Sequence, residues 1–385
     1  MISFFGSPLW TPGKLQDLVL LQRGFDITKA EQKPGAIQVF SSSGPNSFHN
    51  VSKVEGPGVI IGRKGTLGSV FYSDSSYWPH DTTLWSKDLR GNNAKFVYYA
   101  LQRIDMTLFD TGAANPTLNR NHVHNLPIFI PERPTQDRIA SILSAYDDLI
   151  ENNRRRIVLL EEAARQLYKE WFVRFRFPGH EHVKIIDGVP EGWSVDAIEE
   201  VCQTIGGGTP STQKREYWDD GEVPWFTPTD VTRNSCLALL NSQTKISDSG
   251  LNNSSAKMIP AGSILMTSRA SVGFFGINRL AASTNQGFIN IVPNDPALRM
   301  YLLHNLMWRV EEIRSHAGGA TYKEISKGRF RTLPILTPPS GLAGEFEDQA
   351  TLIHLQVEAL HIANQQLAKA RDLLLPKLMS GAIAV

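Results

Sequence analysis

The sequence predicts an α/β (α+β) protein with two similar globular domains separated by two long helices. These helices form an antiparallel coiled coil, and the two halves are related by a pseudo-twofold internal repeat. Three observations predict it. The segment TGAANPTLNRNHVHNLPIFIP (111–131) recurs as AGGATYKEISKGRFRTLPILTPP (317–339), with Gly319 over Gly112. A heptad seam follows each copy. Between these landmarks, short apolar runs alternate with Gly-bearing turns.

At 385 residues the chain is too long for one ordinary core. A hydrophobic content of 41% with 20% charged residues describes a soluble globular protein. Cys202 and Cys236 cannot make a disulfide framework; they read as small apolar packing residues in a reducing, cytoplasmic setting. No run reaches the roughly 18 apolar residues of a membrane span, and MISFF lacks the basic start of a signal peptide. A formal net charge of +1 excludes a protein basic all over, but not one with Lys and Arg gathered on one face.

The repeat extends outward from the opening segment. GPGVIIGRKGTLGSVFY (56–72) matches IPAGSILMTSRASVGFFGI (259–277), each a strand, a Gly turn carrying one basic residue (Lys64, Arg269) and a second strand. Trp10 before KLQDL pairs loosely with Trp193 before VDAIEE, after which the second copy carries about twenty extra residues; a period of about 200 is too long for a solenoid, whose repeats run to about 50. The predicted division is a first domain at 1–133, a helix at 134–178, a second domain at 179–339 and a helix at 340–381.

From Thr135 to Phe177 there is no Gly or Pro, and Ile139, Leu143, Tyr146, Ile150, Asn153 and Ile157 open a seam with steps of four and three. Arg154, Arg155, Glu161 and Glu162 lie off it. Thr135 is an N-cap and Pro178-Gly179 a stop. The second seam runs from Phe346 through Asn364 and Arg371 to Leu378, with Pro376 expected to kink or fray its last turn before Ser380-Gly381. Laid parallel, the helices bury Asn153 and Asn364 against aliphatic partners. Laid antiparallel, Asn153 faces Asn364 and Tyr146 faces Arg371. An unpaired buried amide costs about 1–3 kcal/mol, so the antiparallel pairing is favoured. The competing arrangement packs each helix on its own domain alone. Two like modules on a twofold frame suit duplex DNA, with its separated half-sites.

No catalytic signature emerges. GGGTPS (206–211) lacks the Lys-Ser/Thr ending of a phosphate loop. Asn115-Pro116-Thr117 lacks the aromatic end of an amino-methyltransferase loop. His122/His124 and His180/His182 have no third and fourth metal ligand, and no Ser or Cys sits in a nucleophile elbow. No catalytic residue, metal or cofactor is predicted. What remains is polar and basic loop material at equivalent places in both copies. In the first these are Ser42, Ser43 and Asn46, then Arg63, Lys64 and Thr66, and Asn119, Arg120, Asn121 and His122. In the second they are Lys214 and Arg215, then Thr267, Ser268 and Arg269, and Thr321, Tyr322, Lys323, Ser326 and Lys327. Arg and Lys grip phosphates or guanine edges, Asn reads adenine, and Ser and Thr do either.

These pieces, in this order, resemble the specificity subunit of type I restriction–modification systems over essentially the whole chain. GGGTPSTQKREYWDDGEVPWFTPTD (206–230) and LQRGFD (21–26) are similar to the family's two openings of a target-recognition domain. GRKGTLGSV, DTTLW (81–85), TGAANPTLNR, the two LPI-x-x-P strands and RDLLLPKLMSG (371–381) are further matches. The resemblance implies two target-recognition domains that each read one part of a bipartite, asymmetric double-stranded DNA site. It further implies long helices that set the spacer and carry two adenine-N6 methyltransferase subunits, with restriction subunits in the full complex. A restriction–modification fusion enzyme would need methyl-donor and nuclease motifs. A coiled-coil scaffold that reads no DNA would not need the matched basic hairpins.

Overall fold

The computed structural model describes residues 10–110, 117–319 and 322–385. The chain divides into two compact units, Met1–Ile150 with Gln366–Val385, and Glu151–Gln365. Each unit therefore takes a globular domain together with part of each long helix.

In the first unit, Thr11–Lys14 pairs antiparallel with Pro127–Ile130, and the Leu15 amide donates to the Leu126 carbonyl at 2.9 Å. A four-stranded antiparallel sheet follows, in the order Leu20–Arg23, Thr83–Asp88, Gly58–Gly62 and Val70–Ser73. Its strand GVIIG is buried at every position, as an uninterrupted apolar run requires when both sheet faces are covered. The helix Ala94–Gln102 buries Phe96, Val97, Tyr99, Ala100 and Leu101 in the same core. A second sheet orders Gly44–His49, Ile37–Ser41 and Trp78–Pro79, the last pair parallel.

The second unit repeats this plan. Ser194–Ala197 pairs with Pro334–Thr337, and the Ile198 amide donates to the Leu333 carbonyl at 3.0 Å. The one-turn helices after the first strands are capped alike, Asp17 accepting from the Lys14 amide at 2.8 Å and Glu200 from that of Ala197 at 2.6 Å. Cys202–Gly206, Phe288–Pro293, Ile264–Thr267 and Phe275–Asn278 form the equivalent sheet, with Ala238–Leu239 as a fifth strand. Thr244–Ile246, Val223–Phe226 and Ser283–Thr284 form the smaller one. The extra residues sit mainly at 227–243, where the first unit has only the two-residue turn Ser42-Ser43.

That insertion has a structural use. Cys236 and Ala238 pack with Ile157 and Val357 of the long helices, and Glu161 accepts a hydrogen bond from the Leu237 amide at 2.6 Å. Glu161 lies off the heptad seam, as expected, yet it faces the domain instead of water. Burial pushes its carboxyl above the usual range, against the pull of the Leu237 amide and Arg165. Because a glutamine carbonyl keeps accepting from Leu237, Glu161→Gln should alter stability by no more than about 0.5 kcal/mol. Glu161→Leu, which orphans that amide, should cost more; thermal unfolding of the two variants checks the difference.

The first long helix spans Arg133–Tyr168 and continues as a π-helical turn over Lys169–Val173. It therefore starts two residues before the expected cap at Thr135 and ends before Phe177. The wider turn reduces the rotation per residue and lets adjacent Trp171 and Phe172 both enter the core. The second helix spans Ser340–Met379 and runs through Pro376 without ending there. Leu378 and Met379 are buried in the first unit's core, which holds the turn beyond the missing N–H.

Within each unit the two helices run side by side in opposite directions. In the first, Ile139 and Leu143 share a core with Leu374, Leu378 and Met379. In the second, Ile157 and Leu160 meet Val357 and Leu360, and the Asn153 amide donates to the Asn364 carbonyl oxygen at 2.9 Å. Tyr146, expected opposite Arg371, is half-buried, while Arg371 pairs with the neighbouring Asp147. A guanidinium gains far more from a carboxylate than from a phenol ring, and Tyr99 donates to the same Asp147. Both cysteines are free and buried, with thiols pushed up to about 12, chiefly by burial. Among the described residues no helix is long and apolar enough to cross a membrane.

Candidate nucleic-acid interface

In the first unit the predicted loops converge on one end of the large sheet. Gly62 and Arg23 end their strands there and Thr83 begins its own. The Arg63 and Lys64 amides both donate to the Thr82 carbonyl, at 2.8 and 3.1 Å. Ser42 reaches Thr82 Oγ1 through its amide at 3.3 Å, and the Leu118 amide donates to the Arg63 carbonyl at 2.9 Å. Lys64 and Thr117 complete an antiparallel bridge. Three segments far apart in sequence thus form one surface around the turn His80–Thr82.

The second unit builds the same frame from different residues. The Ser268 amide donates to the Gly287 carbonyl at 2.8 Å, and the Ile325 amide to the Ser268 carbonyl at 3.0 Å. Arg269 bridges Glu324 and lies 3.7 Å from its carboxylate. Gly68 and Gly273 occupy matching turn positions, with φ of 74° and 82°, a region open to glycine at little cost. Gly207 and Gly208 are explained by close packing. A Cβ on Gly207 would lie 1.9 Å from the Asn285 carbonyl oxygen, and one on Gly208 2.3 Å from Ser255. These glycines seat the segment against neighbouring backbone and need no phosphate to account for them.

Most of the candidate side chains fall into three groups. Lys64, Thr66, Arg120, Asn121, His122, Lys323 and Lys327 are exposed at the converging loops, as is Tyr322 at 60%. A second group is committed to holding the loops. Asn119 caps the helix Arg120–His124 by accepting from the Asn121 amide at 3.0 Å, and Ser326 caps Lys327–Arg331 by accepting from Arg329. Asn46 donates to Ser41 Oγ at 2.9 Å, and Ser43 bonds the same hydroxyl. Thr267 and Ser268 are 0% and 3% exposed, and Thr267 Oγ1 accepts from the Phe274 amide inside the turn. Both side chains are turned into the loop, and the role the structure gives Thr267 is to brace the turn. The third group lies apart. Lys214 donates to the Tyr217 hydroxyl at 2.9 Å and Arg215 lies 3.5 Å from Asp219, in a short turn packed on the helix Asp248–Asn252. Thr321 lies outside the described residues, as do the first six residues of the segment 111–131.

Several charged groups here were not singled out from sequence. Arg23 forms a 2.7 Å ion pair with Asp81, whose same oxygen lies 3.9 Å from Lys64; the other oxygen is 3.1 Å from His80. Burial raises the Asp81 carboxyl, but Arg23, His80 and Lys64 together hold it below the usual range, so it stays ionised. Arg63 is shifted down by burial and by repulsion from Arg23, and its Nη1 is buried without a hydrogen-bond partner among the described residues. Arg23 and Asp81 stand 58 residues apart, a pairing no local pattern discloses.

The histidine pairs find ordinary roles. His124 Nε2 accepts from the Leu21 amide at 2.9 Å, inside the core, and its pKa is lowered first by burial and then by Arg120. His180 Nδ1 sits 2.8 Å from the Phe177 carbonyl. Asp26, His80 and Asp81 place ligand-type atoms within 4.8 Å of one another. Asp26 is exposed and Asp81 is engaged by Arg23.

The type I restriction modification DNA specificity domain matches this chain twice, at residues 9–162 and 190–344. The chain is 31% identical over 170 residues to the type I restriction enzyme MjaIX specificity subunit of Methanocaldococcus jannaschii. That match covers 44% of this chain and 39% of the relative's length. It is 26% identical over 330 residues to the HindI specificity subunit of Haemophilus influenzae, covering 70% of this chain and 71% of that protein. A crystal structure of a type I system S subunit from M. genitalium shares the fold, with a TM-score of 0.64 and 17% identity over 96% of both chains. Matched in both halves by one family description, the chain belongs to the type I restriction–modification DNA specificity domain family.

Proposed function

We propose that this chain is the non-catalytic DNA-specificity subunit of a type I restriction–modification system. Each unit reads one part of a bipartite, asymmetric site on double-stranded DNA. The chain also assembles two adenine-N6 methyltransferase subunits on that site, joined by restriction subunits in the full complex in the cytoplasm.

One observation carries this reading. The same frame, a basic turn and a closing segment hydrogen-bonded around a third turn, is built twice with different side chains at matched positions. Lys64 is matched by Arg269, Asn121 by Gly328 and His122 by Arg329, all of them exposed. An identical frame with different chemistry is what reading two unlike half-sites requires. Single-molecule mapping of N6-methyladenine tests it, after co-expression with the cognate methyltransferase subunit. A gapped two-part motif that disappears when this chain is omitted is the expected result. An assembled, active methyltransferase that marks no such motif would leave a scaffold role instead.

If the matched basic turns grip phosphates, replacing Lys64 and Arg269 together with Ala should lower the salt dependence of DNA binding. The slope of log K against log salt should fall by about 2, roughly 0.9 for each lost phosphate contact. An unchanged slope would remove these two residues from the interface.

A further inference from the structure

Beside the Arg63–Lys64 turn the first unit carries an open hollow of about 850 Å³. Its wall holds four cations, Arg23, Lys53, Lys87 and Arg120, against two carboxylates, Asp26 and Asp81. Asp81 is already paired with Arg23 at 2.7 Å. Among the described residues no carboxylate lies within 4.0 Å of the Lys53, Lys87 or Arg120 cation. We infer that this hollow seats the phosphodiester backbone of the bound duplex. The first unit thereby supplies a larger sequence-independent grip than the second.

The three cations come from three separate segments, one from a loop, one from the strand Thr83–Asp88 and one from the helix Arg120–His124. They border a broad, open surface, which matches a run of phosphates better than a single small anion held by converging donors. An extruded base is the poorer fit. Such a base needs an enclosed slot with a free aromatic face, whereas Trp78 is 8% exposed and the Lys53 ammonium already lies 5.0 Å from its ring centroid. The hollow also adjoins the converging loops, because Asp81 lies close to both Arg23 and Lys64. Strand for strand, Arg23, Phe25, Trp78 and Asp81 are replaced in the second unit by Gly206, Gly208, Ser283 and Gln286. Thr209 there donates to Gln286, and Lys327, the counterpart of Arg120, remains a cation beside Gly206, its ammonium 3.8 Å from where a Cβ on that glycine would stand.

The inference rests on the DNA-reading function proposed above. Its test uses the full chain assembled with its methyltransferase and a duplex carrying the mapped motif. Lys53→Gln, Lys87→Gln and Arg120→Gln are combined, and Lys53→Arg, Lys87→Arg and Arg120→Lys serve as the charge-keeping control. The Gln variant should lose about 2–3 from the salt slope, keep the same methylated motif and match the control in thermal stability. The control should keep the wild-type slope. A wild-type slope in the Gln variant, with motif methylation intact, overturns the hollow as a DNA contact but leaves the proposed function standing. A changed motif at an unchanged slope also overturns it, because the hollow would then read bases. A wild-type complex that neither binds nor marks DNA removes both.

Discussion

Acidification from pH 7 to 5 should destabilise the second unit more than the first. His304, 4% exposed on the helix Arg299–Trp308, stacks on Tyr168 at 6.0 Å and meets Phe346 edge-on at 5.8 Å. Burial, then Arg165 and His354, lower its pKa to about 4, while burial and then Arg299 bring His354 to about 4 as well. In the unfolded chain both titrate near the ordinary value of about 6.5. Their folded pKa values are depressed, so the neutral forms favour the fold. That stability is complete above about pH 6.5 and is lost as pH falls towards 4. At pH 5 the loss is about 2 kcal/mol for His304 and somewhat less for the partly exposed His354. The first unit has Tyr99 and Asp147 at the matching places, already hydrogen-bonded to each other, with Arg371 beside them. Among its buried histidines, His124 adds a smaller acid sensitivity through its bond to Leu21. Carboxylates titrate in the same interval, so the informative comparison is with a variant. His304→Phe with His354→Leu should flatten stability against pH between 6.5 and 4.5. An undiminished slope in that variant would place the acid sensitivity elsewhere. Hydrogen exchange at pH 5 should then show no selective loss of protection in the second unit.

This contrast also explains what the sequence disclosed and what it withheld. The duplicated frame was legible because hairpins and closing strands keep a local pattern, so GRKGTLGSV and TSRASVGFF align by eye. The helix pairing was legible because two polar residues on an apolar seam admit few comfortable registers. Other features depend on contacts between distant residues. Arg23 and Asp81 lie on separate strands, and only the folded sheet makes them one charge cluster. Thr267 and Ser268 look like reading residues because short polar side chains serve equally as turn braces, and here they brace. The extra length of the second half was visible as a count. Its use as a fifth strand docked on the helices was not, because that depends on Glu161 meeting Leu237 across 76 residues.

Asn153→Leu alone should destabilise the second unit by about 1–2 kcal/mol, whereas Asn153→Leu combined with Asn364→Leu should recover most of that loss. The two amides share a 2.9 Å hydrogen bond beside the apolar contacts of Ile157, Leu160, Val357 and Leu360. Removing one partner leaves the other desolvated and unpaired, a cost set by the orphaned group and not by the lost bond. Removing both replaces a polar pair with an aliphatic one of similar size, which heptad packing accommodates. The single variants should therefore be worse than the double, with a coupling energy opposite in sign to their sum. Because both amides are half-buried, water can partly satisfy the orphan, and the effect sits below the full penalty of a dry site. Chemical denaturation of the four proteins in the cycle measures it. Strict additivity would mean that the amides do not interact in solution. The double variant should also show why the pair is worth keeping. An all-aliphatic seam no longer penalises a slipped register, and the register holds the second domain in place on its helices through Glu161 and Leu237. Stability should then be regained while hydrogen-exchange protection of the Leu237 amide is lost, a separation of folding from register that an independent pair would not give.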